Sequence, residues 1–188
     1  MLTLIDRAAV ALFCVLPAVV VGLSASSLSA ADSPASIDVW IGTSRSKQSK
    51  GIYHATLNLK TGQLSDTELA AEISGPGFLA MHPNGQHIYA VGDLHGQPVV
   101  AAYQIEKKKG RTSLSFQNAV EIGDGGAAHV SIDSSGRTIL TAQYGAGSTA
   151  VFSVNEDGSV QERTQLMKHD ALGAHARDEL GISVSLTA

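Results

Sequence analysis

Most of the chain is built from short runs in which apolar and polar residues alternate, separated by polar turns that contain glycine. Alternation with a period of two is typical of β-strands and differs from the helical period. Glycine-containing turns between such runs indicate antiparallel hairpins. The pattern predicts an all-β fold made of four-stranded units, and in the clearest unit the strands lie at about 78–82, 87–92, 99–105 and 113–122.

The strand pattern repeats at a nearly constant spacing. Two matching segments place Gly85 and Gly136 at equivalent positions, 51 residues apart. A second hairpin pattern occurs three times, and its turn glycines, Gly62, Gly110 and Gly158, are each 48 residues apart. Four-stranded repeats of this length are typical of β-propeller blades, whose periods run from about 40 to about 50 residues. A plain β-sandwich is the alternative, and the in-phase repetition of both halves of the unit favours the propeller.

The count of units falls short of a closed ring. The first unit begins at residues 37–43, which match the second strand of a blade, while the second is complete and the third ends near residue 167. Residues 32–170 are therefore predicted to form a partial β-propeller of just under three four-stranded blades. Propellers close with about 4–8 blades. We expect residues 171–188 to form a divergent or disordered C-terminal tail.

The N-terminal residues 1–31 have the features of a signal peptide. An apolar stretch at 8–23 is followed by small residues, and cleavage is predicted before Asp32. An uncleaved membrane anchor is the alternative, but the apolar stretch is shorter than the roughly 20 residues that a spanning helix needs. Cys14, the single cysteine, lies in this segment, so the mature chain would contain none. We expect a periplasmic or secreted protein without membrane association after cleavage.

Composition narrows the chemistry further. The chain has 13 Lys+Arg against 17 Asp+Glu, which argues against binding to nucleic acid. The basic run Lys107–Lys109 is interpreted as a solvated turn, and His54, His87 and His95 as surface or turn residues. No metal-binding motif is present, and Gly145–Gly147 leads into a strand and not a helix, so a nucleotide site is not predicted. We expect no cofactor and no metal.

Several short motifs follow one another in a characteristic order, at 40–43, 49–53, 77–85, 88–91, 126–133, 143–148 and 150–152. In order and spacing they resemble the N-terminal part of the seven-bladed lactonase propellers, the family of 6-phosphogluconolactonase and carboxymuconate cyclase-like proteins. The resemblance implies seven blades and a hydrolase that opens a sugar lactone, either 6-phosphogluconolactone or a free sugar lactone. Against seven blades this chain is expected to be truncated. A non-catalytic binding or scaffold propeller, or an inactive gene fragment, is the alternative.

Lactone hydrolysis requires a general base to activate water and a cationic group or hydrogen-bond donor to stabilise the developing oxyanion. His129 is the candidate catalytic residue, because it lies where the innermost strand of the third blade should begin. A packing histidine in the channel is its alternative. The resemblance adds Arg177 and Glu179 as catalytic candidates and His175 as a substrate-binding candidate. The family motif that should follow them is absent, so a charged tail is the alternative for these three residues.

One further expectation follows from the open row of blades. The first and last blades of such a row lack a neighbour on one side, and unpaired strand edges and apolar faces promote association. We therefore expect self-association through the exposed blade edges.

Overall fold

The computed structural model describes residues 35–45 and 48–169, which form strands joined by turns and loops, without a helix. The predicted all-β class is confirmed. The expected signal peptide and C-terminal tail lie outside the described residues. In chain order the strands are β1 (Ser36–Ile41), β2 (Gly51–Asn58), β3 (Glu68–Glu72), β4 (Ser74–Met81), β5 (His87–Leu94), β6 (Gln97–Lys108), β7 (Arg111–Glu121), β8 (His129–Ile132), β9 (Thr138–Gln143), β10 (Ser148–Val154) and β11 (Val160–Lys168).

These strands form three antiparallel sheets in which neighbours in the chain are neighbours in space. The first sheet has the order β1-β2-β3, the second β4-β5-β6-β7 and the third β8-β9-β10-β11. This up-and-down connection is what short glycine-containing turns allow, since hairpins join adjacent antiparallel strands. The prediction of just under three propeller blades is confirmed, because the first sheet has three strands and the other two have four.

The repeated glycines mark the same turn in two sheets. Gly85, between β4 and β5, and Gly136, between β8 and β9, both have positive φ angles, 68° and 74°. The amide of Gly85 donates to the carbonyl of His82 over 2.8 Å, and that of Gly136 donates to the carbonyl of Asp133 over 3.0 Å. Left-handed backbone favours glycine because it has no Cβ. The 51-residue repeat is thus a repeat of turn geometry.

The second sheet lies between the other two and is buried on both faces. Along β5, Ile88 and Ala90 belong to the apolar cluster shared with the first sheet. Tyr89 and Val91 point the other way, into the cluster shared with the third sheet. Burial on both faces explains why this strand is apolar at consecutive positions. Each large side chain buried in this way contributes about 1.5–3 kcal/mol.

Contacts between sheets identify equivalent strands. The innermost strands β4 and β8 are neighbours, and the outermost strands β3, β7 and β11 also lie side by side in sequence order. By this equivalence β1 corresponds to β5 and β9, which are each the second strand of a four-stranded sheet. This agrees with the prediction that the first unit starts at the second strand of a blade. Within the described residues, the inner edge of β1 has no paired strand.

Candidate functional site

His129 is the first residue of β8, the innermost strand of the third sheet. It follows the glycine-rich loop at 123–126, and the amide of Ala128 fixes the strand entry by donating to the carbonyl of Ala142 over 2.8 Å. The imidazole is half-buried and lies against the ring of Phe78 on β4, with 4.3 Å between ring centroids. The position expected for His129 is therefore correct, and two adjacent innermost strands define its surroundings.

The imidazole has a free hydrogen-bonding atom. Nδ1 of His129 is shielded from solvent and has no hydrogen-bond partner among the described residues, and the same is true of Oγ of Ser131, two positions along β8. A buried polar atom without a partner carries a desolvation cost of about 1–3 kcal/mol. In this structure the shielded Nδ1 is out of reach of a solvent water. A histidine acts as a general base through a ring nitrogen that lies within hydrogen-bond reach of the proton it removes.

An aromatic side chain on β4 borders this position. Phe78 is 41% exposed, although β4 is flanked by its own sheet and by β8. Its ring gives the histidine an apolar surface on one side. Such a surface suits the ring of a sugar lactone, while the histidine supplies the polar contact.

The remaining predicted site residues, Arg177, Glu179 and His175, lie outside the described residues. Their placement beside His129 stays a prediction. Within residues 35–45 and 48–169, no group of three His, Cys, Asp or Glu side chains is arranged so that it could hold a metal ion. In the same part of the chain, no helix is long and apolar enough to cross a membrane.

A charged cluster between the first and second sheets was missed by sequence reasoning. Oδ1 of Asp38 lies 2.8 Å from Nε2 of His54, and Oδ2 accepts a hydrogen bond from Nζ of Lys107 over 2.8 Å. Burial alone would raise the pKa of Asp38, but the hydrogen bonds from Lys107 and His54 outweigh burial and lower it. The only sequence signal was an acidic residue inside an otherwise apolar strand.

The surface assignment of His54 is thereby wrong, and so is the assignment of Lys107 to a turn, although its side chain is exposed as expected. His54 is 9% exposed and packs against Trp40, with 4.9 Å between ring centroids. Lys107 lies within β6 and not in a turn, because β6 extends three residues past the end of its apolar run and reaches Asp38. The turn itself begins at Lys109, whose φ is +50°. The side chains that bury His54 lie far from it in the sequence, so the local pattern does not reveal its burial.

His87 is also buried, at 5% exposure, and not on the surface as expected. Burial lowers the pKa of His87, and the charge of neighbouring His82 acts in the same direction. His82 links the second and third sheets, since its Nε2 lies 3.1 Å from the carbonyl oxygen of Gly136. Both residues belong to the packing between sheets, which leaves His129 as the histidine on an innermost strand.

A polar cleft of about 540 Å³ opens beside His54. Its lining includes Glu68 on β3 and Arg111 on β7, whose Oε2 and Nε atoms are 3.2 Å apart. These are outermost strands, whereas His129 lies on an innermost strand. The cleft is therefore separate from the candidate site, and its opposite charges neutralise one another.

Three antiparallel sheets of equivalent strands, packed face to face, define the class of β-propellers. Residues 38–181 match the family model described as lactonase, 7-bladed beta-propeller. The chain belongs to this family, as its motifs predicted.

Relatives with assigned names agree with the family. A 6-phosphogluconolactonase of Bacillus subtilis is 37% identical over 140 residues, which cover 74% of this chain and 40% of that protein. The structure of a candidate 6-phosphogluconolactonase from Bacteroides uniformis superimposes with a TM-score of 0.66 at 26% identity, covering 76% of this chain and 40% of that one. A periplasmic gluconolactonase of Pseudomonas aeruginosa has the same fold, with a TM-score of 0.66 at 23% identity over 76% of this chain and 41% of that one. The chain thus spans about 40% of the length of these relatives.

Proposed function

We propose that this chain contributes to a lactone hydrolase that opens a sugar lactone in the manner of a 6-phosphogluconolactonase. The observation that carries the proposal is the 37% identity to the Bacillus subtilis enzyme over 74% of this chain. The half-buried His129 at the start of an innermost strand supports it, because histidine is the side chain most often used as a general base. In the proposed reaction His129 removes a proton from water and the water oxygen attacks the lactone carbonyl. The ring C–O bond then breaks, and the proton held by His129 passes to the leaving ring oxygen, which gives a hydroxy acid.

The other candidates have complementary parts in this proposal. We assign Arg177 to stabilisation of the developing oxyanion, Glu179 to proton transfer, and His175 to a contact with a sugar hydroxyl or phosphate. Residues 1–31 are the proposed export signal, so the protein would act in the periplasm or outside the cell. An exported enzyme meets free sugar lactones more readily than phosphorylated ones. Glucono-δ-lactone is therefore tested beside 6-phosphogluconolactone.

The test is hydrolysis of both lactones by the purified chain, with the spontaneous rate subtracted. General-base catalysis contributes roughly 10²–10⁴-fold to rate, so His129→Gln should lower kcat by at least 10²-fold while KM changes little. The matched control is His95→Asn, which replaces a histidine at a turn with φ of +54°. Circular dichroism checks that both variants fold. An unchanged kcat in His129→Gln removes the residue from the mechanism, and no turnover in a folded wild-type sample favours a binding module or an inactive fragment.

A further inference from the structure

The imidazole of His129 is held by packing and not by hydrogen bonds. Among the described residues neither of its ring nitrogens has a hydrogen-bond partner, whereas Nε2 of His54 lies 2.8 Å from Oδ1 of Asp38. The side chain that His129 contacts is Phe78, with 4.3 Å between ring centroids and an angle of 51° between the ring planes. The orientation of the imidazole therefore depends on the ring of Phe78.

The two ring nitrogens of His129 differ in their access to solvent. Nδ1 is shielded, while the imidazole as a whole is half-buried. Nε2 is not shielded in this way, so it lies at the open side of the ring. A general base has to come within hydrogen-bond reach of the proton that it removes. Nε2 is therefore the atom through which His129 can take a proton from water.

The backbone around Phe78 is fixed on two sides. Phe78 pairs directly with Val91 on β5, after an irregularity in the register of β4, and such irregularities redirect side chains. In the irregular stretch Gly75 has a φ of 60°. The carbonyl oxygen of Pro76 lies so close to Gly42, which follows β1, that a Cβ at residue 42 would be only 2.3 Å from it. Pairing within the second sheet and close packing against the first thus anchor the strand that carries the ring.

The ring of Phe78 also suits a positively charged neighbour. The face of an aromatic ring is electrically negative, and a cation within about 6 Å of its centroid is attracted to it. At 4.3 Å between centroids, the imidazolium that forms when His129 takes a proton lies inside this range. This charge develops only as the reaction proceeds. The attraction therefore stabilises the transition state more than the ground state.

We propose that Phe78 is a positioning residue for lactone hydrolysis, an inference that rests on the function proposed above. Its ring holds the imidazole of His129 with Nε2 toward the substrate and stabilises the imidazolium. Phe78 acts through His129 and takes part in no bond-making step. Both effects require an aromatic ring, so tyrosine should replace phenylalanine at this position and leucine should not.

The first experiment observes the His129 ring by NMR in the full chain, isotope-labelled at histidine. The ring signals are assigned by their loss in His129→Gln. The ring current of Phe78 acts on these signals, so Phe78→Leu should move them and Phe78→Tyr should keep them near their wild-type positions. The matched control is Phe116→Leu, which removes an exposed phenylalanine that lies against another ring, that of Tyr103, on the outermost strand β7. It should leave the His129 signals unchanged.

The second experiment measures the hydrolysis of glucono-δ-lactone and 6-phosphogluconolactone, with the spontaneous rate subtracted. Loss of a cation–π contact corresponds to about threefold to tenfold in rate, so Phe78→Leu should lower kcat by this factor. KM should change by less than about twofold, because leucine keeps an apolar surface beside the histidine. Phe78→Tyr should retain a kcat within about twofold of the wild-type value. Circular dichroism checks that each variant folds.

The outcomes separate this inference from the function on which it rests. Unmoved His129 signals in Phe78→Leu would overturn the contact, whatever the kinetics show. A wild-type kcat in Phe78→Leu, or equal losses in Phe78→Leu and Phe78→Tyr, would overturn the role of the aromatic ring. No turnover by the folded wild-type chain would instead overturn the proposed hydrolysis and with it the part of Phe78 in that reaction, while moved NMR signals would still establish the ring contact.

Discussion

Two buried tyrosines of the second sheet form a natural pair for testing how the blades are held together. Tyr89 on β5 is 0% exposed and Tyr103 on β6 is 1% exposed. The hydroxyl of Tyr89 donates to the carbonyl of Gly158 in the third sheet's last hairpin, over 3.0 Å. The hydroxyl of Tyr103 has no partner within the described residues. Removing the hydroxyl of Tyr89 therefore breaks a hydrogen bond, whereas removing that of Tyr103 removes a buried polar group without a partner. The two changes should have opposite effects on stability.

The magnitudes follow from this difference. Tyr89→Phe leaves the carbonyl of Gly158 without its donor, which should reduce the free energy of unfolding by about 1–2 kcal/mol. Tyr103→Phe removes a buried hydroxyl that lacks a hydrogen bond, so stability should stay the same or rise by about 1 kcal/mol. The two variants should thus differ by about 2 kcal/mol. At about 2–4 °C per kcal/mol for a domain of this size, their Tm values should differ by about 4–8 °C.

Urea and thermal unfolding followed by circular dichroism measure both values at neutral pH. The two substitutions remove the same atom from the same residue type, so each variant serves as the control for the other. Equal losses of stability in Tyr89→Phe and Tyr103→Phe would refute the reasoning, because the hydrogen bond between sheets would then contribute nothing beyond packing.

Two further predictions concern pH and backbone geometry. Burial raises the pKa of Tyr89 and of Tyr103 to about 12, so the folded state favours the neutral form of both side chains. The free energy of unfolding should therefore be highest below pH 10 and should fall as the pH rises through 12. In either Phe variant it should fall about half as steeply, as urea midpoints measured across this pH range would reveal. Gly158→Ala should lower the free energy of unfolding by more than about 2 kcal/mol, because φ is +85° and the new Cβ would lie 2.5 Å from the ring of His87. Gly62→Ala, at φ of +71° but with open space around the new Cβ, should lower it by about 1 kcal/mol. Equal shifts in the urea midpoint of the two variants would contradict this.

Much of the fold was accessible from the sequence because propeller blades are made of local hairpins. The short apolar runs of β5 and β6 and the repeated glycines that bound such runs predicted strands and turns that require only neighbouring residues. The start of the first blade at its second strand, as seen in residues 35–45 and 48–169, was also predictable, since the repeat could be counted. The predicted strand ends were less accurate. For example, β6 continues to Lys108 because its pairing with β7 extends beyond the apolar run.

The site was predictable only in part. The position of His129 followed from the repeat, which places it at the start of an innermost strand. Its contact with Phe78 depends on how two separate sheets pack, and sequence order says nothing about that distance. The Asp38–His54–Lys107 cluster was missed for the same reason, because its members lie on β1, β2 and β6.

The sequence by itself determined the strand class, the blade repeat and the family, because these depend on periodicity and motif order along one chain. Only the tertiary structure decided which polar residues are buried and paired. His54 and His87 occur in patterns that resemble surface strands and turns, yet packing between sheets removes both from solvent. The physical reason is that a blade's two faces look alike in sequence, and their surroundings are set by the neighbouring blades.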